Sequence, residues 1–199
     1  MNTEVRIAGF GGQGIVLSAI IIGKAASIFH DGHATMTQSF GPEARGGSSS
    51  AQLILSDKPI LYPYVRQADV LVALSQEALT RFMGELKPEG ILLVEQDLVR
   101  LTHAGPGVRA YGVPATRLAE QLGKRMVLNV VMVGFFAAVT GLFDPESLRR
   151  AVEDSVPRST VPLNLKAFDT GFDHGLSVMG SRNQDHCADL AHVRFDGLA

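Results

Sequence analysis

Apolar positions in this chain come in two rhythms. A short apolar run at residues 5–8 reads as a first strand, and the wholly apolar runs at 70–74 and 91–94 are the pattern of central parallel strands covered on both faces. Less compact strand patterns fall at 34–38, 49–55 and 108–113. Longer stretches with helical spacing lie between them, at 12–29, 76–86, 114–122 and 126–142, with Pro114 opening the third. Asp144-Pro145 supplies a cap and a first-turn proline for a helix to about residue 154, and 161–175 predicts a last helix. From Met179 the periodicity fades, so a loosely ordered tail is expected.

Strands alternating with helices predict an α/β fold: a Rossmann-like, mainly parallel sheet flanked by helices, with a helical C-terminal arm. One domain over residues 1–178 and a tail over 179–199 account for the 199 residues. The helix over 12–29 is apolar nearly all round, which predicts burial on all sides, with its own sheet on one side and another chain on the other. The uncharged stretch 126–143 sits at the lower length limit for a membrane span. It carries Asn129, Thr140 and two glycines, and so reads as a buried core or interface helix.

Hydrophobic residues make up 46% of the chain, aromatics only 7%, and tryptophan is absent. The core must therefore be built from Ile, Leu, Val and Ala. A net charge of −2 gives no electrostatic case for nucleic acid or anionic lipid. Cys187 is the single cysteine, which excludes an intrachain disulfide and an iron–sulfur cluster held by this chain alone, and fits a reducing cytoplasm. The N-terminal residues lead straight into the first strand pattern, so no signal peptide is expected.

Chemistry concentrates where strand patterns end. After residues 5–8 come four glycines within six residues, in Gly9-Phe-Gly11-Gly12-Gln13-Gly14, and a helical pattern follows at once. That order brings backbone N–H groups and a helix N-terminus to a phosphate or diphosphate, and Gly9, Gly11 and Gly14 fit the G-x-G-x-x-G spacing. After the second strand pattern, Gly41-Pro-Glu43-Ala-Arg45-Gly-Gly47 offers a guanidinium fork suited to phosphate or carboxylate, or else a solvated loop with a Glu43–Arg45 ion pair. Ser75-Gln76 follows the run at 70–74. All three segments are expected at the carboxyl ends of the strands, in one crevice.

A dinucleotide site wants an acidic residue at the end of the second strand. That pattern ends in Thr37-Gln38-Ser39, and Asp31 falls before it in a turn, so a stand-alone NAD(P) enzyme loses ground. A purely structural subunit, with the glycines serving a tight turn or a neighbouring chain, stays open. His174, His186, Cys187 and His192 have no recurring ligand spacing, so no metal site is expected. No catalytic residue stands out: the chain reads as a binding site without visible chemistry.

Three segments in this order, Arg6 to Leu17, Thr37 to Gly47 and Ala68 to Ala78, closely resemble the gamma subunit of the 2-oxoacid:ferredoxin oxidoreductases, the 2-oxoglutarate type more than the pyruvate type. Ser56 to Ile60, Tyr62-Pro63, Asn129 and Gly134 fit as well, and the resemblance covers about residues 4–155. Phe40, where a tyrosine is common, and the longer tail are departures. The resemblance implies oxidative decarboxylation of a 2-oxoacid to acyl-CoA, carbon dioxide and reduced ferredoxin by a hetero-oligomer. Thiamine diphosphate would sit on alpha and beta subunits, and iron–sulfur clusters on a ferredoxin-like chain. Coenzyme A is the co-substrate implied near this chain. Gly11, Gly12, Gln13, Gly14, Glu43, Arg45, Ser75 and Gln76 are its candidate contacts.

Overall fold

A computed structural model describes residues 2–41 and 47–184, without the side chains of residues 182–184. Six strands form one sheet: β1 (Asn2–Phe10), β2 (His33–Phe40), β3 (Ser48–Ser56), β4 (Ala68–Ala73), β5 (Leu86–Glu95) and β6 (Arg109–Val113). Their spatial order is β2-β3-β1-β4-β5-β6. β1, β4, β5 and β6 pair in parallel, whereas β3 runs antiparallel to both β1 and β2. Five strands thus share one direction, and the parallel expectation holds except at β3. The connection from Phe40 to Ser48 is too short for a helical crossover, which needs a dozen or more residues, so β2 and β3 must form a hairpin.

The helices are α1 (Ile15–Ile28), α2 (Gln76–Phe82), α3 (Ala115–Gln121), α4 (Leu128–Thr140), α5 (Pro145–Ser155) and α6 (Val161–Gln184). Side-chain alternation in the strands divides the core. Val5, Ile7, Leu53, Val72 and Leu93 face a thick layer of α1, α3, α4, α5 and α6. Ala8, Ile54, Leu71 and Leu92 face α2 and loops on the other side. There the buried Arg6 guanidinium pairs with Glu85 and lies 4.5 Å from the Phe82 ring centre. Burial lowers its pKa, and Glu85 acts against that shift.

Three sequence expectations need correction. The helix after β4 ends at Phe82; a 3-10 turn, Met83–Glu85, follows, and Leu86 opens β5, where it pairs with Ala68 of β4. Asp144 occupies the cap position of α5 without a side-chain cap bond; its carbonyl accepts from Ser147 N–H instead. Part of the second face of α1 is covered from within the chain, while Ile28 stays exposed and Val16, Leu17 and Ile20 half-buried. Lys24 pairs with Asp154, Ser147 Oγ donates to the Phe29 carbonyl, and Arg150 lies over the Phe29 ring. Ile21 and Ile22 are fully buried in this way, so no other chain is needed to cover them.

The last helix also runs further than its pattern, through Met179 to Gln184, and residues 185–199 lie outside the described residues. α4, buried along almost its whole length, crosses α6 so closely that a Cβ on Gly134 would overlap the Phe168 carbonyl, and one on Gly171 would overlap the Val131 carbonyl. No helix among the described residues is long and apolar enough to cross a membrane.

Gly171→Ala forces these helices apart and should cost about 1–3 kcal/mol. Gly180→Ala, with open space around its Cβ, should leave the denaturation midpoint unchanged or raise it. His174 on α6 supplies a pH dependence. Burial lowers its pKa from the usual 6.5, opposed by a hydrogen bond to the Gly112 backbone. The folded state therefore favours the neutral ring, and its contribution is present above about pH 6.5 and lost as pH falls through the lowered value. The thermal midpoint should fall less over that interval in His174→Gln than in the parent.

Candidate functional site

β1 feeds α1 on one face of the sheet, and β4 feeds α2 on the other. The carboxyl ends of β1 and β4 therefore part at a topological switch point, where open α/β sheets bind ligands. Gln13 bridges the gap. Its Oε1 accepts from Phe10 N–H at 2.6 Å and its Nε2 donates to the Leu74 carbonyl at 2.9 Å. A Cβ on Gly9 would strike that Oε1, so glycine is required beneath the bridge. Gln13 thus builds the floor of the site with both ends of its amide.

The expected convergence of loops is present. Gly11 N–H donates to the Gly47 carbonyl at 2.8 Å, and Gly41 N–H to the Ser48 carbonyl at 2.7 Å, so the glycine loop touches the far end of the segment that follows β2. Ser75 and Gln76 stand at the same end, after β4. Both are engaged within the chain: Ser75 Oγ accepts from Ala78 N–H as the cap of α2, and Gln76 Oε1 accepts from Arg100 N–H at 2.7 Å. Glu43 and Arg45 lie outside the described residues, as do His186, Cys187 and His192.

The glycine loop itself is open. Gly11 and Gly12 are exposed, and Gly14 takes the cap position of α1 in the left-handed region (φ 73°), with no side-chain cap bond and no acidic residue in the first turn. The first N–H groups of a helix have no intrahelical acceptor, and the macrodipole adds partial positive charge there. This arrangement suits an anion. On the α2 side, Ser39, Ser48, Ser49, Ser75 and Arg81 line a second, shallow recess with room for about one water molecule.

Two residues were missed as candidates. Asn129, on α4, presses its carboxamide against Gly14. Glu95, wholly buried at the end of β5, accepts from the N–H groups of Asp97, Leu98 and Thr116 and so fixes the neighbouring loop. A polar residue inside an apolar pattern was the available signal for Asn129, whereas Glu95 stands at the polar end of the run at 91–94 and gives no such signal. The sheet order also bears on the NAD(P) alternative: β1 lies between the parallel β4 and the antiparallel β3, and β2 ends one strand beyond β3 in Gln38-Ser39-Phe40. Among the described residues no carboxylate stands at the end of β2 to receive a ribose.

Replacing Gln13 by Leu leaves the buried Leu74 carbonyl unpaired and should cost about 1–3 kcal/mol. Denaturant titration reads the loss, and faster hydrogen exchange at Phe10 should accompany it.

The pattern of the family described as "Pyruvate ferredoxin/flavodoxin oxidoreductase" matches residues 4–174. The 2-oxoglutarate synthase subunit KorC of Methanocaldococcus jannaschii is 43% identical over 176 residues, covering 87% of this chain and 94% of that one. KorC of Methanothermobacter thermautotrophicus is 44% identical over 188 residues, covering 92% and 98%. Among solved structures, the keto/oxoacid ferredoxin oxidoreductase gamma subunit from Geobacter sulfurreducens superimposes with TM-score 0.77 at 38% identity, over 88% of this chain and 99% of that one. The 2-oxoglutarate:ferredoxin oxidoreductase from Magnetococcus marinus, with 2-oxoglutarate, coenzyme A and succinyl-CoA bound, shares the fold at TM-score 0.80 and 22% identity; the match covers 88% of this chain and 31% of that one. The chain belongs to the pyruvate ferredoxin/flavodoxin oxidoreductase family, as a gamma-type subunit of a 2-oxoacid:ferredoxin oxidoreductase.

Proposed function

We propose that this chain is the coenzyme A-handling subunit of a 2-oxoglutarate:ferredoxin oxidoreductase, the enzyme that forms succinyl-CoA, carbon dioxide and reduced ferredoxin. The preference for 2-oxoglutarate rests on the KorC relatives, matched over nearly their full length. Coenzyme A rests on one observation: an exposed glycine loop opens onto an uncapped helix N-terminus at the switch point. The CoA diphosphate is the proposed guest of Gly11, Gly12, Gly14 and the first turn of α1, with Arg45 neutralising a phosphate and Glu43, Ser75 and Gln76 shaping the rim.

The division of labour follows. Thiamine diphosphate, on the alpha and beta subunits, supplies the carbanion chemistry of decarboxylation. Clusters on a ferredoxin-like subunit pass electrons to ferredoxin. This chain holds the acceptor thiol's carrier and limits its orientations. Exposed apolar side chains stand at the same end of the sheet, namely Phe10 at the end of β1, Phe40 at the end of β2 and Met126 before α4. That rim is the proposed contact with the thiamine-bearing subunits, and a cytoplasmic location, which the single cysteine fits, belongs to this reading.

Arg45→Ala in the assembled complex tests the assignment. Losing a charge-assisted phosphate contact of ~1.5–3 kcal/mol should raise the CoA KM roughly 10- to 150-fold, with kcat at saturating CoA retained. An unchanged KM removes Arg45 from the site.

A further inference from the structure

Asn129 is 3% exposed, and its Nδ2 has no hydrogen-bond partner among the described residues. An unpaired buried amide is costly, and native structures rarely keep one without a use for it. Its position points to the use. The carboxamide lies against the α-carbon of Gly14, so close that a Cβ there would come within 2.7 Å of Nδ2. Gly14 is the cap of α1, and Asn129 is the second residue of α4. Two helix N-termini therefore meet at this contact, and neither has a side-chain cap or an acidic residue in its first turn.

Charge at the junction runs the same way. Exposed Lys124 and Arg125 lead into α4, at the end of a helix where the macrodipole disfavours cations. Two positive helix ends and two cations with no carboxylate in either first turn form a local field that an anion would relieve.

We infer that Asn129 is a ligand-positioning residue: its Nδ2 donates to the diphosphate held by the glycine loop, and the Lys124-Arg125 turn attracts that anion. This rests on the coenzyme A reading above, and it gives the site a second wall, from α4, that the G-x-G-x-x-G spacing does not reveal. A diphosphate could come from coenzyme A or from thiamine diphosphate, and the inference commits to coenzyme A.

The test uses the assembled complex carrying Asn129→Leu, which keeps side-chain size and removes the donor, and Asn129→Ala as a second variant. The expected result is a CoA KM raised tenfold or more, with kcat at saturating CoA and the thiamine diphosphate requirement unchanged. The thermal midpoint of the Leu variant without CoA should be equal to or above the parent's, because an unsatisfied donor has gone. An unchanged CoA KM overturns the inference, as does a thermal midpoint that falls with the rise in KM, or failure of both variants to assemble; the last two make Asn129 a structural residue. A shifted thiamine diphosphate requirement assigns the site to the other diphosphate and overturns it as well. Hydrogen exchange of residues 12–17 in the parent complex separates the two levels. Slowing by CoA in the parent that persists in the Leu variant, with KM unchanged, overturns the role of Asn129 alone. No slowing in the parent overturns the coenzyme A reading itself.

Discussion

Where β1 and β4 part, peptide groups at two strand ends lose their ladder partners, and buried peptide groups must find others. The Gln13 amide meets that demand from both sides, accepting from Phe10 and donating to Leu74. Much of the site's geometry depends on this bridge. Gly9 must lack a side chain to let the amide lie over it, Gly11 is carried up to Gly47, and the first turn of α1 begins clear of the sheet. Within the glycine loop Gly11 N–H is taken by the Gly47 carbonyl and Gln13 N–H by the Phe10 carbonyl, which leaves the first turn of α1 to present donors without an intrahelical acceptor. An opening at the switch point is thus a consequence of how the gap below it is closed.

Much of this was legible in the sequence, for local reasons. The glycine loop, the strands at 70–74 and 91–94 and the helix at 126–142 are strong patterns whose residues satisfy themselves within a few positions. The convergence of the three loops followed from strand direction alone. What the sequence hid depends on contacts between distant residues. Lys24 with Asp154 and Ser147 with Phe29 show α5 covering part of α1, a face that apolarity alone had offered to another chain. The antiparallel β3 was within reach, since residues 41–47 leave no room for a crossover helix. The roles of Gln13, Ser75 and Gln76 were not. A polar residue in a glycine-rich loop carries the same signal whether it contacts a ligand or the backbone beside it.

Packing and function share a resource in this fold. Small residues bring α6 onto α4 at Gly134 and Gly171, and that seated α4 delivers Asn129 to Gly14. The apolar composition, high for a chain of this size, is largely consumed by this five-helix layer. The exposed apolar residues that remain include Phe10, Phe40 and Met126, at the site's end of the sheet, and Leu61, Tyr62 and Tyr64, between β3 and β4. A subunit of a larger oxidoreductase is expected to keep such surface where it meets its neighbours.

A structure of the assembled complex with coenzyme A bound is the most direct measurement of the central claim. The account requires the diphosphate within hydrogen-bond distance of the backbone N–H groups between Gly12 and Val16, with the Asn129 carboxamide beside it. A diphosphate bound wholly by other chains, with the glycine loop filled by a neighbouring subunit's side chain, would contradict it.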